Sequence, residues 1–211
     1  MLLYGARMRA MKPLAILCCV AGAYAASAHM LWAAPLSLAD ISRYLNSLTT
    51  ATADFTQINA DGSVETGRLY LRKPGRARFE YDGDQALVIA GGGEVAIFDK
   101  KSNTAPQQFP LARTPLQLVL AANIDLTAEP GVSDLRMVDG LGMIEAFDPS
   151  HPEQGMLQLY FDVSPVSLQQ WSLVDGGGGH TRVLLENWQI GPDLGDTMFS
   201  IPFEVMQRET N

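Results

Sequence analysis

Apolar residues recur at two different periods along the chain, and the change of period separates helices from strands. The first periodic segment follows Pro35, where apolar residues recur at helical spacing: Leu38, Ile41, Leu45 and Leu48. This spacing predicts an amphipathic helix that ends near Thr50. Ser37 precedes it and Asp40 follows three residues later, which is close to a capping box. We expect this helix to lie against an apolar surface.

A period of two then begins and predicts antiparallel strands. The five candidate strands are residues 51–59, 64–72, 76–82, 86–90 and 94–99. They are separated by Asp-Gly, Pro-Gly and Gly-Gly-Gly sequences, which are typical of tight turns. The pattern therefore predicts a meander of hairpins.

The hairpin at residues 67–81 shows the alternation most clearly. One predicted face is apolar and contains Leu69, Leu71, Ala77, Phe79 and Tyr81. The other face contains Arg68, Tyr70, Arg72, Arg76, Arg78 and Glu80. We therefore expect one apolar face and one charged, solvated face. Pro74-Gly75 between the strands suits a type II turn.

Lys73 does not fit this alternation, because its parity places it at the end of the apolar face. Two interpretations remain open at this point. It is a strand-end residue whose ammonium group reaches water, or it is a functional lysine.

The meander is interrupted by a polar segment, residues 100–113, and by a short apolar helix after Thr114-Pro115. Thr is a good N-cap and Pro is favourable in the first helical turn. A helix this short depends on what its apolar face contacts. Further strands are predicted at residues 135–138, 142–147, 155–163, 168–174 and 181–189. A last strand is predicted around Met198 and Ile201, with a frayed tail after Pro202.

These elements predict a mainly β protein of about ten to eleven antiparallel strands with two helices. A twisted sheet of this size tends to curl into a barrel or half-barrel. Its apolar face carries large side chains, among them Phe55, Phe161 and Trp171. They fit either an ordinary core beneath the helices or a cavity for an apolar ligand, and the pattern does not choose between them.

The first 34 residues are typical of an export signal, and residues 35–211 are predicted to form a single domain. Basic residues (Arg7, Arg9, Lys12) precede an apolar, Ala-rich segment. Cleavage is expected after Ala33 or Ala34, with Ala28 as an alternative, and Met11 is an alternative start. Both cysteines, Cys18 and Cys19, lie within the signal, so the exported chain is expected to be stable without disulfides.

Charge and residue types exclude several functions. Without the three basic residues of the signal, 12 basic residues face 23 acidic ones, which disfavours a nucleic-acid partner. His29, His151 and His180 have no metal-ligand spacing, and no nucleophile motif or phosphate-binding loop is present. The sequence therefore predicts no catalytic residue, no metal site and no cofactor.

Several segments resemble the LolA family of periplasmic lipoprotein carriers. They are Ala53-Asp54-Phe55-Thr56-Gln57, the whole motif from Gly67 to Tyr81, Thr114-Pro115-Leu116 and Phe199-Ser200-Ile201-Pro202. Together they span nearly all of the predicted exported chain in order. The resemblance implies an unclosed β-barrel with a helical lid over an apolar cavity. It implies a periplasmic, monomeric carrier of acylated lipoproteins, which receives them from an inner-membrane ABC transporter and delivers them to an outer-membrane receptor.

The resemblance also implies roles for particular residues. The expected cavity lining is Phe55, Leu69, Leu71, Phe79, Tyr81, Leu116, Leu118, Leu120, Leu159, Phe161 and Trp171. Lys73 or Arg72 is expected to latch the lid, although lysine lacks the planar donor fork of arginine. Gly75, Arg76 and Ala77 are expected to meet the transporter. Two alternatives stay open: a periplasmic lipid-binding sensor or regulatory module on the same scaffold, and an exported hydrolase.

Overall fold

The computed structural model describes residues 35–83, 86–99, 104–114, 116–151 and 155–210. The predicted export signal, with its two cysteines, and Pro115 lie outside these residues.

Helix α1, Leu38–Ser47, forms where the sequence predicts it. The Ser37 hydroxyl accepts a hydrogen bond from the Asp40 amide (3.2 Å), and the Asp40 carboxylate accepts one from the Ser37 amide (3.1 Å). These bonds complete the predicted capping box. Hydrogen bonds from Ser37 and Arg43 hold the pKa of the Asp40 carboxyl below its usual range.

Eleven strands follow in two groups. The first group is β1 (Thr50–Ile58), β2 (Val64–Arg72), β3 (Arg76–Tyr81), β4 (Ala86–Gly91), β5 (Glu94–Asp99) and β6 (Gln107–Pro110). The second is β7 (Arg136–Val138), β8 (Leu141–Phe147), β9 (Met156–Val163), β10 (Val166–Val174) and β11 (His180–Ile190). Between them lie a 3₁₀ helix, Leu111–Arg113, and helix α2, Leu116–Leu120. The chain ends in a 3₁₀ helix, Asp196–Phe199, and helix α3, Ile201–Thr210.

All eleven strands belong to one antiparallel sheet, in the order β6-β5-β4-β3-β2-β1-β11-β10-β9-β8-β7. Each group is a meander of neighbouring strands, and the groups join where β1 pairs with β11. The edge strands β6 and β7 do not pair with each other among the described strands, so the curled sheet is unclosed. The predicted fold class and strand number are confirmed.

The last strand and the frayed tail are wrong predictions. Met198 and Phe199 belong to the second 3₁₀ helix, and Ile201 begins α3. The eleventh strand is instead β6, which lies in the segment predicted to be a polar interruption. All four residues of β6 are exposed, so no alternation of apolar and polar residues marks this strand in the sequence.

The turn between β2 and β3 also differs in detail from its prediction. Gly75 has the positive φ that a Pro-Gly turn requires (69°), but the Lys73-Pro74 peptide bond is cis. Three residues connect the strands, since Arg72 pairs with Arg76.

Both faces of the sheet carry apolar clusters. The inner face packs against α1 and α2 in the main core. The outer face of β4 and β5 carries a second cluster, formed by Leu87, Ile89, Ala96 and Phe98 with Ile201 of α3. Helix α3 therefore covers part of the outer face of β4 and β5.

Candidate functional site

A cavity of about 90 Å³ lies between the inner face of the sheet and the helices. Its walls are formed by hydrophobic residues and come from both halves of the sheet. They are Leu48, Leu69, Leu71, Ala77, Phe79, Leu116, Val119, Leu120, Leu157, Leu168, Trp171, Leu173 and Trp188. Such a lining offers dispersion contacts and a dry environment to an apolar ligand.

Six of the eleven residues predicted to line the cavity do so: Leu69, Leu71, Phe79, Leu116, Leu120 and Trp171. Phe55 and Tyr81 lie beside this wall in edge-to-face contact, with ring centroids 5.0 Å apart. Leu159 and Phe161 are fully buried in the core, where Phe161 meets the Tyr44 ring of α1 at 6.2 Å. Leu118 lies on the other side of α2 and lines a separate groove.

Several lining residues were missed by sequence reasoning, and β10 shows why. The register between β9 and β10 shifts between Leu168 and Gln170. This irregularity places Leu168 on the cavity face together with Trp171 and Leu173, although simple alternation separates Leu168 from them. Trp188 of β11 reaches the same region and donates its indole N–H to the Leu168 carbonyl (2.9 Å).

Tyr81, which packs against Phe55, has the polar hydroxyl group of this aromatic contact. Its hydroxyl donates a hydrogen bond to the Gln57 side-chain oxygen (2.8 Å). Burial, reinforced by the nearby Glu65 carboxylate, raises the pKa of Tyr81 to about 12. The phenol therefore stays neutral at physiological pH. Its hydroxyl keeps a hydrogen-bond partner, Gln57, at the edge of an apolar surface.

Lys73 contacts α1 rather than α2. Its Nζ donates a hydrogen bond to the Leu45 carbonyl (2.9 Å). No basic residue of α1 lies in its own last turn, so Lys73 supplies the cation that favours a helix C-terminus. Burial lowers the pKa of Lys73 to about 8.

Arg72, the other predicted latch residue, lies on the outer face of the sheet. Its guanidinium donates to the Leu194 carbonyl and forms an ion pair with Asp196 (3.0 Å). Arg76 pairs with the same carboxylate (2.7 Å). Both arginines therefore hold the segment that leads into α3.

Arg78 completes this row of arginines. It pairs with Glu204 of α3 at 3.2 Å, and the two side chains are only 15% and 14% exposed. The face predicted to be charged and solvated is thus the docking surface of the C-terminal segment.

Helix α2 is held at its C-terminal end by backbone and side-chain bonds. The Gly75 amide donates to the Leu120 carbonyl (2.8 Å). Asn46 of α1 makes two hydrogen bonds with the Ile124 backbone (2.8 and 2.9 Å), just beyond α2. The backbone bond from Gly75 leaves no signal in the sequence, because any residue except proline supplies the same donor.

The hydrogen bonding before α2 differs from the prediction that Thr114 caps the helix. The Thr114 hydroxyl donates to the Leu111 carbonyl (2.8 Å) instead of capping α2. The Thr114 carbonyl accepts from the Gln117 amide (3.0 Å). Gly75 in the β2–β3 turn and Arg76 at the start of β3 are half-buried, whereas Ala77 is 1% exposed and forms part of the cavity wall.

Within the described part of the chain, no group of three or more His, Cys, Asp or Glu residues could hold a metal ion. None of the described helices is long and apolar enough to span a membrane.

The curled, unclosed sheet and its covered apolar cavity define the class of protein as an open β-barrel with an internal apolar cavity. The family model described as "Outer membrane lipoprotein carrier protein LolA" matches residues 46–202. The chain therefore belongs to the LolA family.

Two relatives share similar sequence over most of the chain. An "Outer-membrane lipoprotein carrier protein" of Methylococcus capsulatus is 25% identical over 167 residues, which cover 75% of this chain and 80% of the relative. A protein of the same name in Xylella fastidiosa is 29% identical over 164 residues, covering 73% and 78%. A LolA superfamily protein of Nitrosomonas europaea has a solved structure that is 10% identical (TM-score 0.44), with 78% of this chain and 98% of that chain covered.

Proposed function

We propose that this protein is a periplasmic carrier that binds the acyl chains of lipoproteins released from the inner membrane and delivers them to the outer membrane. The observation that carries this proposal is the cavity beneath α1 and α2, which hydrophobic residues line on all sides. Family membership and the names of the two relatives support it. The donor in this scheme is an inner-membrane ABC transporter and the acceptor is an outer-membrane receptor, with the carrier acting as a monomer.

The free energy of acyl burial is sufficient for such a carrier. Each methylene removed from water contributes about 0.8 kcal/mol, so two or three long chains contribute tens of kcal/mol. Release into water would cost the same amount. We therefore infer that the chains pass directly from one apolar site to the next.

The size of the cavity means that the covers must move when a lipoprotein binds. A volume of about 90 Å³ is far below the roughly 300–1,000 Å³ that is typical of pockets enclosing a small ligand. An acyl chain needs several times this space. The structure therefore corresponds to the closed form of the proposed carrier, and binding requires an open form within a few kcal/mol of it.

The hairpin turn is well placed to hold both covers closed. Lys73 contacts the end of α1 and Gly75 contacts the end of α2. In this proposal the latch consists of these two contacts, and Arg72 anchors the C-terminal segment. Contact with the transporter is assigned to Gly75 and Arg76, because Ala77 is enclosed within the cavity wall.

A release assay with spheroplasts tests the proposal. The wild-type protein is expected to bring acylated lipoproteins into the soluble fraction, and mass spectrometry of the purified complex should detect their acyl groups. Leu116→Glu is expected to reduce release at least tenfold, because a carboxylate in the cavity is costly to desolvate.

The matched control is Val64→Glu, since Val64 is 61% exposed and lies outside the cavity. It should release lipoproteins as the wild type does. Normal release by a folded Leu116→Glu protein would contradict the proposal, and circular dichroism would show whether that variant is folded.

A further inference from the structure

Helix α2 separates two spaces of different character. Leu116 and Val119 face the closed cavity. Gln117 and Leu118 face a groove of about 480 Å³ that runs between α2 and the β8–β9 hairpin. A single five-residue helix is therefore the partition between an enclosed apolar space and an accessible one.

The two spaces also share a wall. Leu157 of β9 lines both the cavity and the groove. Displacement of α2 would therefore join them into one continuous site, with the groove as the part nearest to solvent.

The lining of the groove is mixed, in contrast to that of the cavity. Apolar surface comes from Leu118, Val132 and Phe147, and Phe147 is 44% exposed. Polar and charged side chains at the same groove include Arg113 and Glu129. Such a surface suits a ligand in which ester and amide groups follow directly after hydrocarbon.

We propose that this groove binds the polar junction of the cargo: the glycerol-linked cysteine and the first peptide residues that follow it. This inference rests on the proposed carrier function. The acyl chains occupy the cavity, the junction lies against α2 and β9, and the polypeptide leaves through the open side of the groove. The groove volume of about 480 Å³ lies within the range of roughly 300–1,000 Å³ that is typical of small-ligand pockets, which suits a short peptide segment rather than a folded domain.

In this arrangement the two faces of α2 bind different parts of the cargo. The cavity face provides affinity for hydrocarbon without regard to the protein that carries it. The groove face contacts the peptide, so the residues after the acylated cysteine influence which lipoproteins bind well.

The test compares two ligands on the full-length protein: palmitate, and a dipalmitoylglyceryl-cysteine hexapeptide with uncharged residues after the cysteine. Ala112 lines the groove and is exposed, so Ala112→Trp narrows the groove without adding bulk to the cavity. Ala39→Trp, at an exposed position of α1, is the matched control. Calorimetry would give the affinities, and thermal unfolding would check that both variants fold.

Ala112→Trp is expected to weaken lipopeptide binding at least tenfold and to change palmitate binding less than twofold. Ala39→Trp should leave both affinities unchanged. Unchanged lipopeptide affinity in Ala112→Trp would overturn the assignment, as would an equal loss of both ligands. If the wild type binds neither ligand, the carrier function itself fails.

A cross-linking experiment provides a second readout that does not depend on a substitution in the groove wall. A photoreactive phenylalanine replaces Ser150, an exposed groove residue, or Gln207, an exposed residue of α3. With the lipopeptide bound, position 150 should cross-link to the residues after the cysteine, and position 207 should not. Equal cross-linking at both positions, or none at position 150 while the lipopeptide is bound, would overturn the inference.

Discussion

The ammonium group of Lys73 lies 2.9 Å from the carbonyl oxygen of Leu45, so a residue of the β2–β3 turn caps the C-terminal end of α1. A buried cation beside helix carbonyls gains hydrogen bonding and dipole interaction but loses hydration. Burial dominates at this position, since the pKa of Lys73 is lowered to about 8. This balance gives the contact a dependence on pH.

The free energy of unfolding is expected to rise with pH between about 8 and 10.5 because of Lys73. In the unfolded chain the ammonium keeps its proton up to the usual pKa of 10.5, whereas in the folded protein it loses it near 8. The unfolded state thus binds more protons in this window, which makes stability rise with pH. The slope is at most about 1.4 kcal/mol per pH unit, and solvent screening of this half-buried group reduces it.

Urea unfolding of the wild type and Lys73→Met at several pH values measures this contribution, since other groups cancel in the difference. The stability of the wild type relative to the variant should increase from pH 8 to pH 10. Parallel stability curves would show that Lys73 titrates normally.

Asn46→Ala is expected to loosen the segment after α2, because two hydrogen bonds to the Ile124 backbone are lost. The free energy of unfolding should fall by about 1–3 kcal/mol, partly offset by the better helix propensity of alanine, up to about 0.7 kcal/mol. Uptake of a fluorescent fatty acid, followed by stopped flow, should become faster. Asn123→Ala changes the same residue type at a neighbouring exposed position and should change neither quantity. Uptake at the wild-type rate in Asn46→Ala would argue against a role for this bond in holding the cover.

Glu204→Gln is expected to detach α3 from the outer face of the sheet. Arg78 loses the charge of a partner within a largely buried ion pair, and Arg208 loses the same partner at 3.0 Å. We expect a loss of roughly 2–4 kcal/mol in stability and faster amide hydrogen exchange throughout α3. Glu209→Gln lies on the exposed side of the same helix and serves as the control. Exchange rates in α3 that match those of the wild type would refute the anchoring role.

Gly67→Ala is expected to destabilise the protein by about 2–4 kcal/mol. A Cβ atom at Gly67 would lie 2.1 Å from the Glu80 carbonyl oxygen and 2.7 Å from the Phe55 ring. Glycine is therefore required for the Phe55 ring to lie across β2 beside Phe79. Gly195→Ala is the matched control, because its added Cβ would meet nothing closer than 3.9 Å. The control should lose less than about 1 kcal/mol in thermal or urea unfolding, and equal losses would contradict the packing argument.

Local patterns were sufficient to predict α1 and ten of the strands. The capping box at Ser37 and the period of two in β2 and β3 are properties of neighbouring residues, so the sequence displays them directly. Helix α3 was missed because the apolar residues that it packs against the outer cluster are Ile201 and Val205, which form too short an apolar stripe to stand out. The register shift in β10 depends on its partner strand and has no local signature.

The apolar character of the inner face could be predicted from the sequence, but the contacts of individual residues could not. The parity of Lys73 correctly placed its side chain on the inner face, but its partner on α1 lies 28 positions earlier in the chain and is a backbone carbonyl. The position of Leu118 depended on the rotation of a five-residue helix about its axis. Contacts of both kinds are decided by tertiary packing.

The pairing of β1 with β11 has a consequence for how the cavity forms during folding. Ala51 lies opposite Ile190. The two meanders are therefore joined by the first and the last strand of the chain, which are far apart in sequence. Leu69 and Phe79 of the first meander share the cavity with Trp171 and Trp188 of the second. Contacts between remote segments form late and slowly during folding. We expect each meander to form early and the cavity to be completed only in the final step, when β1 pairs with β11.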